Sequence, residues 1–188
     1  MLKMKKVTIE EIQSDPNFHT HKFGPFLPRN AQILILGSFP SPSSRDNNFY
    51  YMDQRNRFYK VLNYVLQENC GDKAKDRKKL LRKHRIALYD VVEACIIPDA
   101  KDSNIKKPIL VDLQELLKKL PHIKQIFVLG STTTKKLFIK IPSFHNYSKP
   151  VEYEKITTFM PSTSSANIRF PTDKLEEMFK KELAKYIS

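Results

Sequence analysis

Glycine is scarce in this chain. Four glycines and twelve prolines in 188 residues are too few for a low-complexity or collagen-like protein. No apolar run approaches the ~20 residues needed to span a bilayer. The lysines near the start are followed by no apolar stretch, so no secretory signal is read there. Cysteine is limited to Cys70 and Cys95, too few for a four-cysteine zinc or iron–sulfur site. An unexported chain is expected to keep both reduced. Acidic side chains are the other deficit, 20 against 33 lysines and arginines. These absences leave a cytoplasmic, water-soluble protein of one domain's length. Its 40% hydrophobic content is enough to bury a core.

The net charge of +13 points to a polyanionic partner, nucleic acid first. A proteome that is lysine-rich throughout is the competing explanation. The charge is concentrated: residues 72–85 hold eight basic side chains against Asp72 and Asp76. That segment is either a phosphate-facing helix or a solvated surface that buries Leu80 and Leu81.

Strand and helix patterns alternate, which argues for an α/β fold. The expected architecture is a three-layer α/β/α sandwich around a small, mainly parallel sheet, with residues 1–27 as an extension. The run 31–36 (AQILIL) reads as a buried parallel strand. A long ordered loop of nineteen residues follows. Phe58, Val61, Leu62, Val65 and Leu66 then recur at helical spacing. Residues 86–97 (IALYDVVEACII) read as one further strand region. Leu113, Leu116, Leu117 and Leu120 form a helix stripe stopped by Pro121. Residues 125–129 and 153–159 read as two more strands. A last helix carries Leu175, Met178, Phe179, Leu183 and Tyr186. Ligands bind beyond the carboxyl ends of such strands. Three Gly/Ser/Pro-rich turns, at 37–44, 130–134 and 160–167, are expected to crowd that rim.

The segment 130–136 (GSTTTKK) has a strand, a glycine, hydroxyls and lysines at a helix start. The second glycine of a nucleotide-triphosphate loop is missing. Free N–H groups there, with Ser131 and Lys135, could hold one backbone phosphate. An ordinary turn with Ser131 as the helix cap accounts for it equally well.

Residues 33–62 read ILILGSFPSPSSRDNNFYYMDQRNRFYKVL. A strand ends in GSFPS, a loop carries Phe49, Tyr50 and Tyr51, and Asn56-Arg57-Phe58 opens a helix. Residues 160–167 (MPSTSSAN) follow a later strand. Between them stand ALYDVV at 87–92 and DSNI at 102–105. Together these blocks resemble the uracil-DNA glycosylase superfamily. They are most similar to its branch of hypoxanthine-DNA and mismatch-specific glycosylases, and the resemblance spans most of the chain, roughly residues 28–179.

A base-removing enzyme must unstack a base and seat it in a pocket. The resemblance implies a substrate of DNA with deaminated bases, hypoxanthine first and uracil next. It assigns stacking to Tyr51 and catalysis to Asn56, although Asn56 also reads as a helix cap. An amide can hold a water through its carbonyl and a base edge through its NH2, so catalysis should rest on positioning. Gly37, Ser38, Phe39, Pro40 and Ser103 are expected around the base. Pro161, Ser162, Thr163, Ser164 and Asn167 are expected on the DNA strand, with Ile168 as the wedge.

The family's His-Pro before the helix is here Asp53-Gln54, its tryptophan is Tyr59, and a proline of its serine-rich loop is Ser165. Asp53 is the candidate to polarise the water or meet a purine N–H. His84, His122 and His145 lie outside these motifs, so neither metal nor cofactor is expected. No lysine, Lys60 included, stands out for Schiff-base chemistry, and a monofunctional, monomeric enzyme is expected. A decayed site that only binds nucleic acid is the alternative.

Overall fold

The computed structural model describes residues 7–141, 153 and 155–187. His145 lies outside them. The described elements are β1 (Phe18–Thr20), β2 (Ile33–Gly37), α1 (Pro42–Asp46), α2 (Phe58–Leu66) and α3 (Ala74–Lys83). Next come β3 (Ile86–Asp90), β4 (Val92–Ile96), a 3-10 turn (Asp102–Asn104), β5 (Lys106–Leu110) and α4 (Leu113–Lys118). The chain continues through β6 (Gln125–Leu129), α5 (Thr133–Phe138), β7 (Thr157–Met160) and a last helix, α6 (Thr172–Leu183).

Four strands form a wholly parallel sheet in the order β3-β2-β6-β7. Every residue of β2, β3 and β6 is buried, as expected of a sheet covered on both faces. Neighbouring residues on a strand point to opposite faces. Phe127 meets the ring of Tyr186, just past α6, while Phe159, the register partner of Val128, meets Phe138 of α5. The helices α5 and α6 therefore cover opposite faces, and α6 packs on α2. This is the α/β sandwich that the sequence pattern implies.

Beside it lies a three-stranded antiparallel sheet, β1-β4-β5. It corrects two expectations. The region 86–97 is two strands, not one. The Val91 amide donates to the Gly37 carbonyl, and the Val92 amide to that of Ser38. The chain then leaves the parallel sheet to pair with β1. Residues 7–27 are also no mere appendage. Ile12 is buried, β1 pairs with β4, and Phe26 bridges to Leu88.

Other boundaries shift for local reasons. The long loop after β2 contains α1, started by Pro42 and capped by the Ser41 hydroxyl, which accepts from the Ser44 amide. The cap residue of α5 is Thr132, without a side-chain bond, not Ser131. The strand expected over 153–159 begins only at Thr157, whose hydroxyl donates to the carbonyl of Tyr153, a residue in helical conformation. No described helix is long and apolar enough to cross a membrane.

Candidate active site

The carboxyl ends of all four parallel strands open onto one cleft of about 600 Å³, within the range of small-molecule pockets. Gly37, Ser38, Phe39 and Pro40 line it from β2, Asp90 from β3, Gly130 and Ser131 after β6, and Ser162, Thr163, Ser164 and Asn167 after β7. Tyr51, Asn56, Asp102 and Ser103 complete it from the connecting segments. A hollow of about 490 Å³ at the opposite ends of β2 and β6, bordered by Gln32 and His122, contains none of the motif residues.

The first turn is a close approach of three groups. A Cβ on Gly37 would collide with Asp90 Oδ1 and lie 3.0 Å from the Tyr51 hydroxyl. Gly37→Ala should therefore force side chains aside and cost about 1–3 kcal/mol. A lowered melting temperature would register it, and an unchanged one would show that the turn has slack.

The aromatic triplet is sorted by burial. Phe49 and Tyr50 are core residues, each 2% exposed. Tyr51 stacks one face on Phe58, with centroids 4.0 Å apart at 19°, so a base can stack only on its other face. Its backbone is held at φ +54°, a conformation that costs a tyrosine about 1–3 kcal/mol and gathers at functional sites. Arg77, from the basic segment, secures this turn. It is 6% exposed, donates to the Tyr51 carbonyl at 3.0 Å and lies over the Tyr59 ring at 4.1 Å. Within the segment 72–85, helix α3 thus buries Leu80, Leu81 and Arg77. Burial raises the Tyr51 hydroxyl well above the usual tyrosine range, with Asp90 adding to the effect.

Asn56 precedes α2. Its Oδ1 accepts the Phe58 amide at 3.0 Å and the Thr163 hydroxyl at 2.9 Å. The cap residue of α2 is Arg57, without a side-chain bond, and Asn56 stands one residue before it; its Oδ1 nevertheless takes the first helical amide and ties the helix start to the serine-rich loop. Arg57 extends the tie through the carbonyls of Thr163, Ser164, Asn167 and Phe170. Ile168 stands 91% exposed in that loop.

Three expected site residues do not line the cleft. The Asp53 carboxylate is bound by the Arg55 amide and guanidinium, which hold it below the usual carboxylate range. That pairing lies in the turn before the helix, outside the lining of the cleft. Lys135 places its ammonium over the Phe159 ring at 4.7 Å. Pro161 is buried beneath the loop.

Two residues that sequence reasoning missed bring polar chemistry to the cleft. Asp90 is 4% exposed and accepts from His21 Nε2 at 3.0 Å. Asp102 has its carboxyl pushed up by burial, against the opposing hydrogen bond of Ser38, with Asp90 pushing further. Asp90 sits inside the ALYDVV block, and its signal was a lone acid in an apolar run. Among the described residues no group of three or more His, Cys, Asp or Glu could hold a metal ion.

The sequence profile of the uracil DNA glycosylase superfamily matches residues 24–186. A protein of Methanosarcina acetivorans described as hypoxanthine DNA glycosylase is 31% identical over 156 residues, 82% of this chain and 92% of its own. One of Methanosarcina barkeri with the same description is 27% identical over 148 residues, 78% of this chain and 87% of its own. The solution NMR structure of a candidate uracil DNA glycosylase from M. acetivorans superimposes with a TM-score of 0.66 at 29% identity, covering 85% of this chain and 95% of that one. With the profile matching residues 24–186 and a relative 31% identical over 82% of its length, the chain belongs to the uracil DNA glycosylase superfamily.

Proposed function

We propose that this protein is a base-excision repair enzyme that hydrolyses the N-glycosidic bond of hypoxanthine in DNA, with uracil as a second substrate. The observation that carries this reading is the meeting of Asn56 and Tyr51 in one nucleotide-sized cleft. The two Methanosarcina relatives described as hypoxanthine DNA glycosylases support the substrate.

The extruded base stacks on the free face of Tyr51 and lies against the Gly37–Pro40 turn, with Ser103 at its side. As the bond breaks, the electron pair passes to the base and positive charge builds on the sugar. Fixed dipoles that match this charge are the main source of rate. Asn56 supplies one, since its amide Nδ2 is not consumed by the bonds that hold its Oδ1. Water then bonds to the sugar carbon and releases a proton to solvent, leaving an abasic site. Ser131, Ser162, Ser164 and Asn167 grip the strand, and the exposed Ile168 fills the gap left by the base.

The test is a panel of duplexes carrying deoxyinosine, deoxyuridine, deoxyxanthosine or a G·T mismatch, each followed by alkaline cleavage. Cutting is expected at deoxyinosine first and deoxyuridine next. Binding should weaken steeply between 50 and 200 mM salt, by on the order of 10³-fold or more if at least six phosphates are contacted. Tight binding without cutting of any strand would overturn the reading in favour of a module that only binds nucleic acid.

A further inference from the structure

We propose that Asp102 is the general acid of the reaction, giving its proton to a ring nitrogen of the departing purine. This rests on the glycosylase reading and supplies the group that lets hypoxanthine leave as a neutral base.

The loop 99–105 holds two acids with separate tasks. Asp99 is spent on the loop itself: its Oδ1 accepts the Lys101 amide at 2.9 Å and its Oδ2 the Asn104 side-chain amide at 2.8 Å. The Asn104 amide donates to the Lys101 carbonyl and the Ile105 amide to that of Asp102, which closes the 3-10 turn. Helix α5 packs on that turn. So framed, the Asp102 carboxyl meets the Ser38 hydroxyl of the first turn in a hydrogen bond, and both line the cleft with Tyr51 and Asn56. Asp102 thus stands where the base is seated, on a frame that another acid holds in shape.

The surrounding groups decide whether that carboxyl keeps its proton. Asp90 comes from β3 and already accepts from His21 Nε2 at 3.0 Å. The Tyr51 hydroxyl and the Cys95 thiol of β4 interact with Asp102 as neutral groups, each kept protonated chiefly by burial. Helix α5 brings Thr133 and Thr134 to the cleft, while its Lys135 lies over the Phe159 ring. Lys101, beside Asp102 in the loop, is exposed, where solvent and salt screen its charge. When two carboxyls share a site, one of them keeps its proton. His21 is bound to Asp90, so that one is Asp102. Burial pushes its carboxyl up, the Ser38 hydrogen bond opposes, and Asp90 pushes further.

The step balances. As the glycosidic bond breaks, its electron pair passes to the base. The Asp102 O–H bond breaks with it, and the proton goes to N3 or N7 of hypoxanthine. The base leaves neutral and Asp102 is left as a carboxylate. Water bonds to the sugar carbon, and the proton it gives up restores the acid through solvent. Uracil offers only carbonyl oxygens at the equivalent places, which are weaker bases than ring nitrogens. Proton transfer therefore speeds hypoxanthine more than uracil, the order proposed for this site.

The test is single-turnover base release by the full chain between about pH 5 and 9, with deoxyinosine and deoxyuridine duplexes. Protonated Asp102 is the working form, so wild-type release of hypoxanthine should be level at low pH and fall as pH rises through the raised pKa. Asp102→Asn keeps the size and a hydrogen-bond donor but has no proton to give. It should release hypoxanthine about 100-fold more slowly on the low-pH plateau and lose the falling limb, while uracil release drops by about 10-fold or less. Asp102→Glu should recover part of the rate and keep a falling limb. Binding to an abasic product duplex and the melting temperature report whether each variant is folded. A wild-type profile that is flat or rises with pH overturns the proposal, as does an Asp102→Asn variant that is fast or keeps the wild-type limb. A wild-type protein that releases no hypoxanthine at any pH overturns the glycosylase reading itself and takes this one with it.

Discussion

Asn56→Asp should slow single-turnover base release from deoxyinosine duplexes by about 10²–10³-fold, as much as Asn56→Ala does. The expectation follows from which end of the amide is already engaged. The Phe58 backbone N–H can only donate, so the atom 3.0 Å from it is the Asn56 oxygen. The Thr163 hydroxyl occupies the same oxygen at 2.9 Å. Two lone pairs are thereby used, and the group left for a ligand is the Nδ2 donor. Aspartate keeps both acceptor bonds, loses the donor and sets a negative charge where the departing base becomes negative. Alanine loses the bonds as well, about 1 kcal/mol each. The pair thus separates chemistry from scaffolding: Asn56→Asp should melt close to the wild type, Asn56→Ala several degrees lower, and both should be slow. A fast Asn56→Asp would mean that the carbonyl side serves the water after all, with aspartate as the stronger base.

Much of the fold could be read from the sequence because parallel strands buried on both faces leave an unmistakable trace. The apolar runs at 33–37 and 125–129 end in Gly37 and Gly130, and the structure keeps both as strands that stop there. The helical stripe at Phe58–Leu66 is equally plain. The motif loops of the site came from the resemblance, and they do meet in one cleft. What the sequence hid is the junction at Val91. Both β3 and β4 are apolar, so no change of pattern marks where the chain passes from one sheet to the other. Reading them as one strand concealed the fourth strand end, and with it Asp90. His21 was hidden for a related reason. It lies in a segment of three-residue strand and turns, too short for any periodicity, and its partner is 69 residues away. Asp53 shows the reverse case. Its place before the helix suggested a catalytic role, but Arg55, two residues on, already claims both oxygens.

The basic segment teaches a separate point about charge. Eight basic side chains within 72–85 suggested a phosphate surface. Charge counting cannot distinguish a guanidinium that faces solvent from one that braces a turn. Arg77 does the second: it donates to the Tyr51 carbonyl and the Met52 sulfur. Lys78 and Arg82 lie over the rings of Phe49 and Phe26, covering apolar surface with their stems. Helix α3 supports the floor of the site from behind, whatever it contributes to long-range attraction of DNA.

Arg57→Lys should destabilise the protein by about 2–4 kcal/mol and lower its melting temperature by about 5–10 °C. The planar guanidinium reaches Phe170 O at 2.5 Å, Ser164 O at 2.7 Å, Asn167 O at 3.0 Å and Thr163 O at 3.4 Å. An ammonium is a point donor and cannot span four carbonyls spread along a loop. The Arg57 amide still holds the Thr163 carbonyl at 3.0 Å, so the loop should loosen beyond Thr163 rather than detach. Because Thr163 is also the residue that fixes Asn56, slack in the loop reaches the reacting centre. A displacement of about 1 Å there is enough for a 10²-fold loss of rate. Measured well below the melting temperature, base release should fall by roughly that factor. Amides of residues 164–170 should exchange hydrogen faster while those of β2 and β6 keep their protection. A lysine variant with wild-type melting and exchange would show that the loop holds its shape by packing alone. A variant that is loose but fully active would instead separate the loop's order from the placement of Asn56.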